Sequence, residues 1–406
     1  MDALTTPSNW QRVRLGDMAE IIGGGTPSTQ ITSFWNGSIN WFTPTEIGIT
    51  KYVYKSQRTI TPLGLKKSST KLLPIGTILL TSRASIGDCA ILKVVATTNQ
   101  GFQSLIPLEK INNEFLYYLM LTLKNKLLKL ASGSTFLEVS PNKIKNLLIP
   151  LPPLNEQSAI ANILSDVDRY LYSLDALILK KESVKKALSF ELLSQRKRLK
   201  GFNQAWQKVR LGDIGITISG LAGKTKQDFI NGNAKYITFL NVLNNVIIDT
   251  SILENVKIYP NEKQNSFKKY DLFFNTSSET PKEVGMCAVL LDDIDQVFLN
   301  SFCFGFRIFD KAVDSLFLSY LINSEIGRKA FENLAQGSTR YNLSKSGFNN
   351  VCLILPPLNE QIAIANILSD LDHEIASLKN KKRQFDNIKK ALNHDLMSAK
   401  IRVLKK

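Results

Sequence analysis

The residues that could do acid–base or nucleophilic chemistry are few in this chain. His373 and His394 are its only two histidines, and both fall within one helical pattern. The rest of the chain therefore lacks the histidine that a Ser-His-Asp or Cys-His site requires. Asp-His-Glu at 372–374 offers metal-ligating residue types, but consecutive helical residues do not face one point. These residues give no catalytic or metal site.

Two glycine-rich stretches could hold phosphate. "GLAGKT" at 220–225 ends like a phosphate-binding loop, but the Walker pattern needs glycine five residues before Gly223, where this chain has Ile218. "GGG" at 23–25 lacks the G-x-G-x-x-G spacing of a dinucleotide fold. The first predicts a lysine-bearing loop that touches a phosphate backbone, and the second predicts a mobile turn.

The charge of the chain favours a polyanionic partner. Lys and Arg total 51 against 35 Asp and Glu, a net charge of +16. Nucleic acid is the first expectation and an anionic membrane the second.

The four cysteines, Cys89, Cys287, Cys303 and Cys352, show no metal spacing and are expected to be buried free thiols. Without a long apolar run or a signal-peptide pattern, the sequence predicts a cytoplasmic protein.

Several segments occur twice, in the same order. "LPPLNEQSAIANILSDVD" at 151–168 returns as "LPPLNEQIAIANILSDLD" at 355–372, 204 positions later. "WQRVRLGD" at 10–17 returns at 206–213, "ASGSTF" at 131–136 at 335–340, and "KALSFELL" at 186–193 at 390–397, each with a few changes. A period this long is not that of a solenoid. It indicates a duplicated two-part unit.

The elements that must position these motifs can be predicted from their patterns. Residues 18–110 and 214–311 are typical of strands and turns, and residues 113–131 and 314–335 of helices. After Pro152 and Pro153, Asn155 is the predicted N-cap of a helix of about 45 residues that ends near Gly201. Its apolar seam, with the seam of the second copy, contains Ile160, Leu164, Val167, Leu171, Leu174, Ile178, Val184, Leu188, Leu192, Ile364, Leu368, Leu371, Ile375, Leu378, Ile388, Leu392 and Leu396. Such seams pack one helix on another.

The predicted fold class is therefore α+β: two similar globular domains joined by two long antiparallel helices, with internal pseudo-twofold symmetry. The whole pattern resembles the specificity subunit of type I restriction–modification enzymes. "GGGTPS" with "WFTPTEI", and "TSRASIG" followed by "NQGF", are similar to that family's target-recognition domains. The resemblance implies target-recognition domains at 1–150 and 201–354 and helical spacers at 151–200 and 355–406.

The resemblance also implies a role and partners. The chain would be a non-catalytic reader of a bipartite double-stranded DNA site, with the helical pair fixing the gap between half-sites. Two modification subunits would bring S-adenosylmethionine and methylate adenine. Two restriction subunits would bring ATP- and Mg-dependent translocation and nuclease activity. No cofactor, metal or membrane is expected for this chain itself.

The predicted DNA-binding residues lie in the loops. In the first domain they are Thr26, Pro27, Ser28, Trp41, Thr43, Thr45, Ser82, Arg83, Asn99 and Gln100. In the second they are Lys224, Thr225, Lys226, Asn241, Thr276, Ser277 and Ser278. Ser134, Thr135, Ser338, Thr339 and Arg340, in the repeated G-S-T turns, are expected to hold phosphate or scaffold rather than bases. Core packing is an alternative for Trp41, and a phosphate contact is an alternative for Arg83.

Three other functions fit parts of the pattern. The chain could be a specificity subunit of a different restriction class, which only the partner's sequence would distinguish. It could be a protein-binding scaffold, whose association with DNA would be weak and insensitive to salt. A self-sufficient DNA methyltransferase is disfavoured because the chain lacks catalytic and cofactor motifs.

Overall fold

The computed structural model describes residues 7–133, 137–332, 334, 337 and 341–403. It contains two compact units, residues 1–175 with 380–406 and residues 176–379, called here the first and second unit. Each unit contains strands and helices around its own apolar core, so the predicted α+β class is confirmed.

The first unit is built on two sheets and a strand pair. Its strands are β1 (Gln11–Arg14), β2 (Ala19–Gly23), β3 (Trp35–Phe42), β4 (Tyr52–Val53), β5 (Arg58–Ile60), β6 (Ile78–Leu80), β7 (Cys89–Leu92), β8 (Ala96–Thr98), β9 (Gln103–Pro107) and β10 (Leu148–Leu151). They form a five-stranded sheet in the order β2-β9-β6-β7-β4, a three-stranded sheet in the order β5-β3-β8, and the antiparallel pair β1-β10. The repeated W-Q-x-V-R-L-G-D segment thus pairs with the strand that precedes the long helix.

The second unit repeats this plan. Its strands are β11 (Gln207–Arg210), β12 (Gly215–Ser219), β13 (Ala234–Ile237), β14 (Glu254–Val256), β15 (Leu272–Asn275), β16 (Ser277–Ser278), β17 (Cys287–Val289), β18 (Val297–Leu299), β19 (Cys303–Ile308), β20 (Tyr341–Asn342) and β21 (Cys352–Leu355). The sheets have the orders β12-β19-β15-β17 and β14-β13-β18, with the pairs β11-β21 and β16-β20. The predicted strand-rich regions are confirmed in both halves.

The helices close the sheets and connect the units. The α-helices are α1 (Pro62–Lys66), α2 (Asn113–Leu130), α3 (Pro141–Lys145), α4 (Leu154–Leu193), α5 (Leu211–Ile214), α6 (Phe239–Asn244), α7 (Ser315–Asn323), α8 (Glu325–Glu332), α9 (Lys345–Asn349) and α10 (Leu358–Met397). Short 3₁₀ turns occur at Leu15–Asp17, Thr32–Phe34, Pro44–Glu46, Lys226–Phe229, Thr250–Ile252 and Pro281–Glu283. The helix predicted at 314–335 is wrong as one element: it breaks at Ser324, whose hydroxyl accepts the backbone N–H of Gly327.

The two long helices differ from the prediction at their ends. Each has 40 residues, or about 60 Å. Asn155 is not the N-cap, because α4 already begins at Leu154 and the backbone N–H of Gln157 bonds to the Pro153 carbonyl. The helix also ends well before Gly201, with Gln195 in the left-handed region at φ 62°. Ala399, 204 positions later, has φ 59° after α10.

Within each unit, segments of α4 and α10 run antiparallel. Ion pairs join Asp168 to Lys389 and Asp175 to Lys382 in the first unit. In the second unit they join Lys181 to Glu374, and Lys185 to Asp372. Going along α4, the partner's number falls, which is the signature of an antiparallel pair. These pairs lie partly in solvent, so each contributes at most about 1 kcal/mol.

Several residues of the predicted seam are buried in the apolar cores of the two units. Ile160, Leu164, Ile364 and Leu368 are almost fully buried. Val184 and Ile388, also predicted for the seam, are exposed at 39% and 51%, so that part of the prediction is wrong. The two exposed residues are equivalent in the repeat.

The cysteine prediction holds for Cys89, Cys287 and Cys303, but Cys352 is exposed because its position on β21 turns it outward.

The repeated N-E-Q sequence explains why the segment is nearly identical in both copies. Glu156 accepts hydrogen bonds from Arg402 Nε at 2.7 Å and Trp10 Nε1 at 3.1 Å. Glu360 accepts from Arg198 Nε at 2.6 Å and Nη2 at 2.7 Å. Both carboxylates are buried, so each needs such partners. The arginine after each long helix thus closes on the entry of the other helix.

The glutamine of the same motif holds the shorter helix of each unit. The Gln157 amide accepts from the Asn112 backbone N–H at 2.8 Å and donates to the carbonyls of Lys110 and Pro152. Gln361 makes the same three contacts, with Asp314, Ala312 and Pro356. The glutamine that both copies share therefore satisfies three backbone groups at each helix junction.

Candidate DNA-recognition site

A tight glycine turn begins the candidate site of the first unit. A Cβ on Gly24 would lie 1.9 Å from the carbonyl oxygen of Asn99, so only glycine permits this approach. Two tryptophans hold the turn by hydrogen bonds. Trp41 Nε1 donates to the Gly25 carbonyl at 2.9 Å, and Trp35 Nε1 donates to the Ser28 carbonyl at 3.0 Å. The predicted mobile turn is thus held by hydrogen bonds and close packing.

Four separate motifs converge around this turn. The Thr26 hydroxyl bonds to the Gln100 side chain. Ser82 N donates to the Gly101 carbonyl at 2.8 Å, which brings "TSRASIG" to the "NQGF" loop. Val139 N donates to the Ser82 carbonyl at 3.0 Å, which brings in the segment that follows the G-S-T motif in the sequence. Sequence positions more than 100 apart therefore form one surface.

The predicted residues of the first domain divide by exposure. Thr26, Ser28, Thr45, Arg83 and Gln100 are exposed, and Thr43 and Asn99 are partly so. Pro27, Trp41 and Ser82 are buried and shape the loops from within. Trp41 therefore has the packing role that was its alternative. Arg83 pairs with Glu138 at 3.1 Å. DNA contact by any of these residues stays a prediction.

The second unit has a glycine turn of different sequence at the equivalent position. A Cβ on Gly220 would lie 2.3 Å from the Asn300 carbonyl oxygen, the counterpart of the Gly24 approach. Lys224, predicted to touch phosphate, is nearly buried; its Nζ donates to the Lys257 carbonyl at 2.6 Å and pairs with Glu262. That ammonium group lowers the pKa of Glu262 to about 2. Thr225 caps the following turn through Asp228, which leaves Lys226 exposed.

The other predicted residues of the second domain are mostly structural. Thr276 N donates to the Phe302 carbonyl, and Leu343 N donates to the Thr276 carbonyl at 2.8 Å. Thr276 therefore corresponds to Ser82, which places "NTSSETPKEVG" in the role of "TSRASIG". Ser277 and Ser278 are buried in β16. Asn241 is fully buried and bonds to Asp249. Ser134, Thr135, Ser338, Thr339 and Arg340 lie outside the described residues.

Comparisons with known proteins agree with this duplicated frame. The family model for the type I restriction modification DNA specificity domain matches residues 7–181 and again residues 203–385. The chain belongs to this family. It is a DNA specificity subunit with two target-recognition domains.

Individual relatives match most of the chain. The chain is 32% identical over 294 residues, 68% of each chain, to the type I restriction enzyme MjaIX specificity subunit of Methanocaldococcus jannaschii. It is 27% identical to the MjaVIII specificity subunit of that organism, over 99% of this chain and 95% of the relative. The crystal structure of a type I restriction–modification S subunit from M. genitalium has the same fold, with a TM-score of 0.59, 17% identity and 97% of both chains covered.

The specificity subunit also has candidate residues that sequence reasoning missed. A Cβ on Gly25 would lie 2.2 Å from Ser69 Oγ, so the segment 66–71, "KKSSTK", lies beside the first glycine turn. In the second unit, Gln264 bonds to both the N–H and the carbonyl of Ala222. The exposed lysines of these two segments are Lys66, Lys67, Lys71, Lys263 and Lys268. Lysine clustering between elements was the signal that could have found them.

The described residues show neither the arrangement of a metal site nor a helix that could span a membrane. Within the described ranges, no cluster of His, Cys, Asp or Glu has the arrangement of a metal site. No helix in the part of the chain that the structure describes is long and apolar enough to cross a membrane. His373 and His394 lie on α10, as the helical pattern predicted.

Proposed function

We propose that each unit of this specificity subunit reads one half of a bipartite double-stranded DNA site. One observation supports this most strongly: each unit carries a glycine turn beside a lysine-bearing segment, with the same backbone approach at Gly24 and Gly220 but different side chains. Equivalent surfaces with different side chains suit two different base sequences, since bases are distinguished by side chains in the major groove. The net charge of +16 supplies attraction to phosphate.

The predicted loop residues have different roles in this proposal. Exposed side chains near the turns, Thr26, Ser28, Thr45, Arg83, Gln100 and Lys226, face the DNA. The exposed lysines of segments 66–71 and 263–268 bind phosphate and position the domain. Buried residues such as Trp41 and Asn241 shape the loops that carry them.

The partners complete the enzyme in this proposal. The chain itself is a non-catalytic subunit of a DNA adenine methyltransferase and restriction endonuclease complex. Two modification subunits supply S-adenosylmethionine, and two restriction subunits supply ATP- and Mg-dependent activity. The pair α4 and α10 docks these partners and sets the gap between half-sites, because each helix continues unbroken from one unit into the other.

Adenine-methylation mapping of the host genome, with and without this gene, tests the proposal. Loss of a two-part methylated motif with an unspecified gap is the expected result. A map that is unchanged, together with DNA binding that is weak and insensitive to salt, would favour a protein scaffold instead. Inserting one helical turn, about 5.4 Å, into both helices should alter the gap and leave both half-sites unchanged.

A further inference from the structure

One position of the three-stranded sheet carries opposite charges in the two units. In the first unit Arg58, on edge strand β5, lies opposite Trp41 on the central strand β3. In the second unit Glu254, on edge strand β14, lies opposite Tyr236 on the central strand β13. Both sheets have the same order and the same mixture of antiparallel and parallel pairing. Arg58 and Glu254 are therefore structurally equivalent.

Arg58 is held in place by the residues that support the first glycine turn. Its guanidinium carbon lies 3.8 Å from the ring centroid of Trp35 and 5.3 Å from that of Trp41. These are the two indoles that bond to the turn at Gly25 and Ser28. Arg58 is exposed, and among the described residues no carboxylate pairs with it. A stacked guanidinium with free N–H groups thus lies beside the turn.

Glu254 is held by its own aromatic neighbour. The Tyr236 hydroxyl donates to Glu254 Oε2 at 2.8 Å, and burial with this bond raises the pKa of Tyr236, so the phenol keeps its proton. Tyr236 packs on Phe229 and on Leu221 of the second glycine turn. Glu254 is exposed, and no ion pair to it is found within the described ranges. Its second oxygen is available to an external donor.

We propose that Arg58 and Glu254 occupy the same base-reading position of the two domains, Arg58 recognising guanine and Glu254 the amino group of cytosine. This inference rests on the proposed reading of one half-site by each unit. Guanine presents the acceptors O6 and N7 in the major groove, which match an arginine fork, and cytosine presents the N4 donor, which matches a carboxylate. A shared phosphate role does not explain the pair, because phosphate repels Glu254.

The test uses the full chain with its modification subunits. Competition binding against oligonucleotides that carry each base pair at each motif position is measured for Arg58→Ala, Arg58→Gln, Glu254→Ala and Glu254→Gln, and adenine methylation is mapped in cells. Charge-matched controls are Lys55→Ala and Asp293→Ala, both exposed in the same domains. Reading of the other half-site shows that a variant is folded.

Arg58→Ala should reduce discrimination at one guanine of one half-site by about 5- to 150-fold and leave the other half-site unchanged. Arg58→Gln should shift the preference there from guanine toward adenine, which a side-chain amide pairs bidentately. The Glu254 variants should act in the same way on one cytosine of the other half-site. The two controls should leave both motifs unchanged.

Two results would overturn the inference. Uniform weakening across all sequences, with a smaller salt dependence, would make Arg58 a phosphate contact. Unchanged motifs and affinities in all four variants would remove both residues from the interface. If the wild-type chain itself shows no bipartite sequence preference, the proposed function fails, and that outcome is distinct from a failure at these two positions.

Discussion

The two units repeat the same arginine–glutamate contact at the long helices but differ in the tryptophan beside it. In the first unit Glu156 accepts two N–H groups of Arg402, at 2.7 and 3.1 Å, and also the indole N–H of Trp10 at 3.1 Å. In the second unit Arg198 takes Glu360 with two N–H groups, and the buried Trp206 Nε1 has no acceptor in the part of the chain that the structure describes. Both copies therefore keep a buried glutamate paired with an arginine. Among the described residues, the hydrogen bond from the tryptophan to that glutamate is present only in the first unit.

Removing the arginine should give the largest effect and should expose this difference. Arg198→Ala leaves the buried Glu360 without a cation, which should lower the free energy of unfolding more than any of the other substitutions. Arg402→Ala should cost less, because Glu156 keeps the Trp10 N–H. Urea unfolding of the full chain measures both. Equal losses would show that the indole contributes nothing to holding Glu156.

The glycine turns should respond alike in both units. Gly24→Ala and Gly220→Ala each place a methyl group against a backbone carbonyl, at 1.9 and 2.3 Å, so the turn must shift. We expect a cost of about 1–3 kcal/mol in stability and loss of reading at one half-site. Gly23→Ala is the matched control, because Gly23 has no positive φ and a Cβ there would lie 3.6 Å from its nearest neighbours, the amide atoms of Gln103. Thermal unfolding and competition binding check the outcome.

Tyrosines against the long helices allow a finer comparison. Tyr320 donates to Asp372 at 2.7 Å, and Tyr118 donates to Asp168 while accepting from Lys51 at 2.9 Å. Tyr320→Phe should cost about 1.5 kcal/mol and Tyr118→Phe somewhat more, since Lys51 also loses a partner. Denaturant unfolding of both variants near neutral pH tests this order.

The same tyrosines predict an alkaline loss of stability. Burial is the main cause that raises the pKa of Tyr118 and Tyr320 above the ordinary value near 10. The folded state then holds protons that the unfolded state releases, so their stabilisation is complete below pH 10 and falls as pH rises above it. Each Phe variant should flatten this decline. A decline as steep as that of the wild type would assign it to other groups.

Moving the chain termini should have the smallest effect. Arg402 Nη2 donates to Asn9 Oδ1 at 3.0 Å, so both ends of the described chain meet in the first unit. A chain joined there by a short linker and opened at exposed Gly201 keeps every frame contact named above. Its unfolding free energy should change by less than about 1 kcal/mol, as for a cut in an exposed loop. Loss of sequence-specific methylation would contradict this.

Local patterns predicted the frame better than they predicted the site. Proline pairs, apolar seams and duplicated motifs located both long helices and both strand-rich regions, because those signals act over a few residues. The prediction of Asn155 as the cap is wrong because the sequence does not show that the helix begins at Leu154, with the Pro153 carbonyl accepting the Gln157 N–H. The burial of Asn241 could not be predicted, because its hydrogen bonds to the backbone of Asp249 follow only from the fold.

The surface near the turns could be predicted only in part for the same reason. The sequence predicts Thr26 and Gln100 as separate candidates, but the hydrogen bond between them depends on two segments that meet only in the fold. The sequence does not single out Arg58, because its guanidinium is positioned by Trp35 on the neighbouring strand. Motif resemblance identified loops, and tertiary contacts decided which side chains those loops expose.

The Glu-Gln junction has a consequence for how such proteins change over time. Glu156, Gln157, Glu360 and Gln361 bond to frame residues and to backbone groups outside the glycine turns. Substitutions in the turns, or replacement of a whole variable segment, leave these bonds intact. The glycine turn of one unit can therefore change during evolution without altering the helix junctions, the pairing of the long helices or the turn of the other unit.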